Sequence, residues 1–294
     1  MKHQPVVRAH LGLLLYAVLI STSFPIASFM GSSYSPLWAT WGRFTIAAAG
    51  FVLLMHHRRQ LRWPGWANVG RYSLISLPLT GFFLLMFMAG KTATSLAMGS
   101  LSTLIPLCSC LFAWLFWRQV PQRLRLLALC CGVAGALWVL TGGQLHQLGQ
   151  GGWPPGNSLF VVACLLMGAY PLVLKSLHRG EPMLTVTGWS LITGCLWLSL
   201  ALALLQPQWA IPTAPQLAAI LWLATATTML TFFLFQSASL VVGGSSANAY
   251  SLLTPALVLV INLLEGKPLP SLWVLPGVGL IVMTLLVLLK LDSD

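Results

Sequence analysis

Ten long apolar runs, separated by short joints, constrain this chain more than any other feature. They fall near residues 10–30, 36–55, 70–89, 93–117, 124–141, 157–177, 183–205, 216–238, 245–264 and 271–290. A helix that crosses a bilayer needs about 20 mostly apolar residues, so each run predicts one span. Unpaired strand edges are too costly in lipid, and barrel strands would be shorter and would alternate. The joints hold the helix breakers: Arg62-Trp63-Pro64-Gly65, the segment Gly151-Gly152-Trp153-Pro154-Pro155-Gly156, Pro207 with Pro212 and Pro215, and Gly266-Lys267-Pro268 with Pro270. The first run follows Lys2 and Arg8 as a signal peptide would. Its length, the lack of a small-x-small cleavage site and the nine runs after it predict a retained span.

Charge supports the same class. Only 6% of the 294 residues are charged, against ~25% in ordinary soluble domains. A water-facing surface built from so few charges would be one large apolar patch. That excludes a soluble enzyme or a nucleic-acid module, even though the net charge is +11. The basic residues instead report orientation. With the N-terminus cytoplasmic, twelve fall inside: Lys2, Arg8, Arg58, Arg59, Arg62, Arg71, Arg118, Arg123, Arg125, Lys175, Arg179 and Lys290. Two, Lys91 and Lys267, fall outside, and Arg43 lies within a span. The positive-inside bias predicts both termini in the cytoplasm and an even number of spans. The six cysteines lie in apolar runs without CxxC or Cys/His metal spacing, so they read as small hydrophobes. No cofactor, metal or nucleic-acid partner is expected.

The chain also repeats itself. Pro25/Pro171, Pro36/Pro182 and Gly42/Gly188 are each 146 residues apart; Phe83/Phe232, Ser102/Ser251 and Pro106/Pro255 are each 149 apart. This collinear series predicts a first five-helix repeat over 1–141, an external linker over 142–156 and a second repeat over 157–294. Five is odd, so the halves must lie in opposite orientations. The expected fold is therefore an all-α membrane protein of ten transmembrane helices in two inverted repeats, a construction typical of secondary transporters.

Several local motifs carry a resemblance. They are Ser23-Phe24-Pro25 in the first span, Trp41-Gly42-Arg43-Phe44 in the second, and the fourth-of-half segments running from Ala97 to Pro106 and from Ser246 to Pro255. Leu264-Glu265-Gly266-Lys267-Pro268 ends the ninth span with an acid; the first half departs there with Phe116-Trp117-Arg118-Gln119. Over residues 10–290 the chain resembles the drug/metabolite transporter superfamily in its ten-span EamA-type branch. The resemblance implies a metabolite carrier, often an exporter, in a bacterial inner membrane.

Candidate pathway residues follow from polarity inside the spans. Arg43 lies about 10 Å along its helix from the outer end. Such a charge either meets a substrate carboxylate or phosphate, or bonds backbone carbonyls and snorkels outward. The resemblance favours the structural role. Ser102 and Thr103 in the fourth span, and Asn248, Tyr250 and Ser251 in the ninth, are expected to line a pathway or to let helices approach closely. Phe24, Trp41, Tyr170 and Trp189 lie in corresponding spans and are candidates for a cavity wall, with ordinary core packing the favoured reading of each. Pro25, Pro106, Pro171 and Pro255 are expected helix breaks. Trp38, Trp63, Trp66, Trp153, Trp209 and Trp273 read as interface anchors.

No Asp or Glu lies well inside a span, which argues against a buried-carboxylate proton relay. The expected function is alternating-access transport of a small organic metabolite, by uniport or exchange, in the export direction. A neutral or zwitterionic solute is favoured. The alternatives are a polytopic membrane enzyme, for which no HExxH, GxSxG or DxD motif is present, and a partner-dependent sensor without transport activity.

Overall fold

The computed structural model describes residues 3–144, 153–206, 208–242, 247, 249–268 and 272–293. Those residues form helices and joints, with no strand among them. The first span is α1 (His3–Ser21) followed by α2 (Ser23–Ser33); the second is α3 (Pro36–His57) and the third α4 (Trp66–Ala89). The fourth is split into α5 (Ser95–Leu101) and α6 (Leu104–Trp117), and the fifth is α7 (Arg123–Leu140). The second half repeats the order with α8 (Pro155–Leu177) and α9 (Met183–Leu205). Its third span is α10 (Ala214–Ala224), a π-helical turn (Thr225–Leu230) and α11 (Thr231–Val242). Its fourth is a 3-10 turn (Tyr250–Leu253) leading into α12 (Thr254–Leu264), and its last is a 3-10 turn (Leu272–Val274) leading into α13 (Leu275–Ser293). Among the described residues nine helical segments are long and apolar enough to cross a membrane, and Tyr250–Leu264 is a shorter apolar one. The first span begins seven residues earlier than its apolar run suggests, because Arg8 and His10 at the membrane edge are compatible with helix.

Three of the four expected breaks occur, each about one turn before its proline. A proline removes an N–H and crowds the carbonyl four residues back. The helix is interrupted at Thr22 before Pro25, at Ser102 and Thr103 before Pro106, and through Tyr250–Leu253 before Pro255. Pro171 differs, since α8 runs through it without interruption. Close by, the Ser109 hydroxyl on α6 donates to the Gly168 carbonyl at 3.0 Å, one residue from the Met167 carbonyl that the proline leaves without its N–H partner.

The packing of spans expresses the repeat. Span 3 packs on span 6, as span 8 packs on span 1. Spans 2 and 7 pair with each other, as do spans 5 and 10, and span 4 crosses span 9. Exchanging the halves maps each of these pairings onto another of the set or onto itself. Glycines permit the closest crossings. A Cβ on Gly135 would sit 2.7 Å from the Gly277 carbonyl, and one on Gly277 would sit 2.6 Å from the Gly135 carbonyl. At the crossing of spans 4 and 9, Gly99 faces Val258.

Alternation of the helices puts Arg8, the Arg58–Arg62 joint, Arg118, Arg123, Lys175, Arg179 and Lys290 at one membrane face, the basic side. Lys91 and Lys267 lie at the opposite side.

Candidate functional site

The breaks converge on one small chamber. It is lined by Tyr16, Ile20, Ser23 and Phe24 of span 1, Phe82, Phe83 and Met86 of span 3, Ser102 and Ile105 of span 4, Met167 of span 6, and Ser251 and Thr254 of span 9. Its walls are mainly apolar, and its serine and threonine hydroxyls lie beside the helix interruptions: Ser23 next to Thr22, Ser102 in the α5–α6 break, and Ser251 with Thr254 at the start of α12. Both halves contribute. The volume is about 90 Å³, enough for about three waters. Ser102 donates to the Gly99 carbonyl at 2.6 Å and Thr254 to the Ser251 carbonyl at 2.6 Å. The buried Ser23 hydroxyl has no partner among the described residues.

Arg43 sits behind this chamber rather than in it. Its side chain is 1% exposed. Nε donates to Thr228 Oγ1 at 3.0 Å; Nη2 donates to Thr227 Oγ1 at 3.2 Å and to the Thr227 carbonyl at 3.3 Å. Both threonines belong to the π turn of span 8, and the Thr227 carbonyl also accepts from Thr231 Oγ1 at 2.9 Å. The guanidinium carbon lies 3.9 Å from the centre of the Phe83 ring, a cation–π contact. Nη1 meets no partner among the described residues. Thr227 and Thr228 were not among the expected site residues: nothing in a run of threonines announces a π turn, and the partners are 184 and 185 residues from Arg43.

The remaining candidates disperse. Trp41 donates to Ser199 Oγ at 2.9 Å and packs edge-on to Trp38, which meets Trp209, near the opposite side. Trp189 is buried on the basic side, edge-on to Trp63 and stacked on Tyr72. Tyr170 is half-buried in the core without lining the chamber. Thr103 is buried, donates to the Ser100 carbonyl at 2.8 Å and faces a void of about 50 Å³ against span 5. Tyr250 hydrogen-bonds His10 Nδ1 at 2.7 Å, joining spans 9 and 1 on the basic side. Asn248 lies outside the described residues.

A second tie crosses the halves on the basic side. Arg71 at the start of span 3 pairs with Glu181 of the span 6–7 joint and donates to the Leu177 carbonyl at 2.6 Å. The hydrogen bond from Arg71 holds the Glu181 carboxyl down at about 2. On the opposite side lies a wide cleft of about 650 Å³ between the ends of spans 1, 4 and 9. Ser28, Lys91, Thr94, Ser95, Asn262 and Lys267 contribute its polar atoms. Asn262 Oδ1 accepts from Ser95 at 2.9 Å and from Lys267 at 3.1 Å, and Lys267 also pairs with Glu265 at 2.7 Å. No group of metal-ligating side chains occurs among the described residues, and the six cysteines are free.

Apolar helices in two inverted repeats, with broken spans meeting at a central chamber, define a membrane transporter architecture. The chain belongs to the EamA-like transporter family, whose model matches residues 7–141 and again 154–290. A solved crystal structure is 20% identical and aligns over 98% of this chain and 97% of its own, with a TM-score of 0.69, so the two share a fold. No sequence among the curated proteins matches the chain.

Proposed function

We propose that this protein is a secondary transporter that exports a small organic solute across a bacterial inner membrane by alternating access, with both termini in the cytoplasm. Residues 1–141 and 157–294 act as the two repeats, joined by an external linker over 142–156. The solute binds in the central chamber, against Phe24, Ser102 and Ser251. The observation that carries this reading is the chamber itself, with hydroxyls from both halves set at helix interruptions. Polar groups in lipid are tolerated where they face protein or water, and a site shared by two inverted halves is one that their rocking exposes to either side in turn. At about 90 Å³ the chamber is below the 300 Å³ or so of ordinary ligand sites, which suits a closed intermediate. The spans hold no carboxylate for a proton relay, which supports uniport or exchange down the solute's own gradient.

The test is efflux from proteoliposomes loaded with a mixed metabolite extract and followed by mass spectrometry against protein-free vesicles. Selective loss of a few compounds is the expected result. No selective loss from folded, inserted protein would overturn the reading. A pH-gradient dependence abolished by Glu265→Gln would overturn its uncoupled form.

A further inference from the structure

We infer that the transported solute carries a carboxylate, and that Phe83 is the movable cover that hides the Arg43 guanidinium from the chamber until the solute enters; this rests on the transport reading above. Three observations converge. First, Arg43 has no counter-ion among the described residues. The four acidic residues of the chain are Glu181 and Glu265 in joints and Asp292 and Asp294 at the C-terminal end of the sequence. Threonine oxygens, one carbonyl and one ring face are what hold the charge, and Nη1 remains unpaired in a side chain that is 1% exposed. A cation buried this way is costly unless something completes its shell. A purely structural role, fixing the π turn, uses Nε and Nη2 and leaves Nη1 over.

Second, one ring separates that guanidinium from the chamber: Phe83 lines the chamber and carries Arg43 on its face. Turning the ring aside would enlarge a space now fit for about three waters and uncover the guanidinium in the same motion. A carboxylate would then take Nη1 in a charge-assisted hydrogen bond, while Phe24, Ile20 and Met167 meet the apolar body of the solute. Third, the two other cations away from the basic side, Lys91 and Lys267, both line the cleft at the opposite side. Lys267 is offset by Glu265, so Lys91 leaves that cleft positive. A positive cleft of this kind raises the local concentration of anions.

The experiment uses the full chain and a panel of monocarboxylates, beginning with phenylacetate, each paired with its primary amide. Thermal shifts in detergent are read from the intrinsic tryptophans, and flux is read in proteoliposomes. The expected result is that acids are preferred over their amides by about tenfold or more, the scale of one charged hydrogen bond. Arg43→Gln should abolish that preference, and Arg43→Lys should retain part of it. Phe83→Leu leaves Arg43 and its threonines in place and should strengthen acid binding more than amide binding, so that the acid-to-amide ratio rises above that of the wild type. If Arg43→Gln does not fold, the Phe83→Leu result decides. Equal handling of acids and amides by the wild type, or an acid preference untouched in both variants, would overturn the carboxylate assignment while leaving the transporter reading intact. Flux of neither panel nor metabolite extract would overturn both.

Discussion

The hydrogen bond between His10 and Tyr250 is expected to set the balance between conformations, and Tyr250→Phe tests it by removing one oxygen atom. The Tyr250 ring packs with Leu13, Ala17 and Ala247, and phenylalanine keeps that packing. What is lost is one part-buried bond of 2.7 Å that ties span 1 of the first half to span 9 of the second. A bond of this kind contributes about 0.5–1.5 kcal/mol. His10 is half-buried, so water can take over its ring nitrogen and no stranded-atom penalty is added. The equilibrium should therefore move about 2- to 13-fold towards the state in which the basic side parts. Hydrogen exchange of the full chain in nanodiscs reads this directly. Amides near residues 8–16 and 249–256 should exchange faster by that factor, while those near 28–34 and 90–96 should be unchanged or slower. A double cycle with His10→Leu should be non-additive, because either change alone breaks the same bond. Equal acceleration at both sides would mean general loosening, and no change at the basic side would mean the bond is spectator; either result refutes the reasoning.

Glu181 carries a pH prediction. Its carboxyl is held at about 2, below the ordinary 4.5, chiefly by the hydrogen bond from Arg71. A lowered folded-state value means the stabilisation is fully present above pH 4.5 and is lost as pH falls towards 2. Glu181→Gln should cost roughly 1–3 kcal/mol at pH 7, and melting followed by tryptophan fluorescence should show the gap from wild type closing between pH 4.5 and 2; a gap independent of pH would refute it. Gly135→Val forces a side chain against the Gly277 carbonyl and Leu280, and overpacking of this sort costs about 1–3 kcal/mol; an unchanged melting temperature would show that spans 5 and 10 separate freely. Ser102→Ala removes a hydroxyl already bonded within its own helix, so folding should change by less than about 1 kcal/mol while flux falls. Retained flux would take Ser102 out of the solute's path.

The ten spans were legible because bilayer thickness imposes a length and lipid imposes composition, and both are written locally in the chain. The prolines were legible for the same reason at Pro25, Pro106 and Pro255, where the interruption is a property of the segment itself. Pro171 shows the limit of a local signal, since α8 runs through it without interruption. The partners of Arg43 show the same limit at longer range. A buried arginine could be read from its position between apolar residues, but the threonines that receive it come from the other half, on a π turn without a sequence signature.

The four aromatics do not share one wall, for a reason that lies in the symmetry. In a direct repeat, corresponding residues would occupy the same level of the membrane, where one wall can hold both. An inverted repeat relates the halves by an axis lying in the membrane, so corresponding residues far from that axis end at opposite faces. Trp41 lies five residues into span 2, which starts at the opposite side, and Trp189 lies six into span 7, which starts at the basic side. One accordingly joins the Trp38 and Trp209 cluster, and the other joins Trp63 and Tyr72. Phe24 and Tyr170 part in the same way, with Phe24 in the chamber and Tyr170 in the core between helices. Ser102 and Ser251 stay together because spans 4 and 9 cross each other, and both line the chamber. In a chain built this way, repeat-related residues meet only where their own spans cross. The sequence offset locates the equivalents, and the crossing selects which of them can share a substrate.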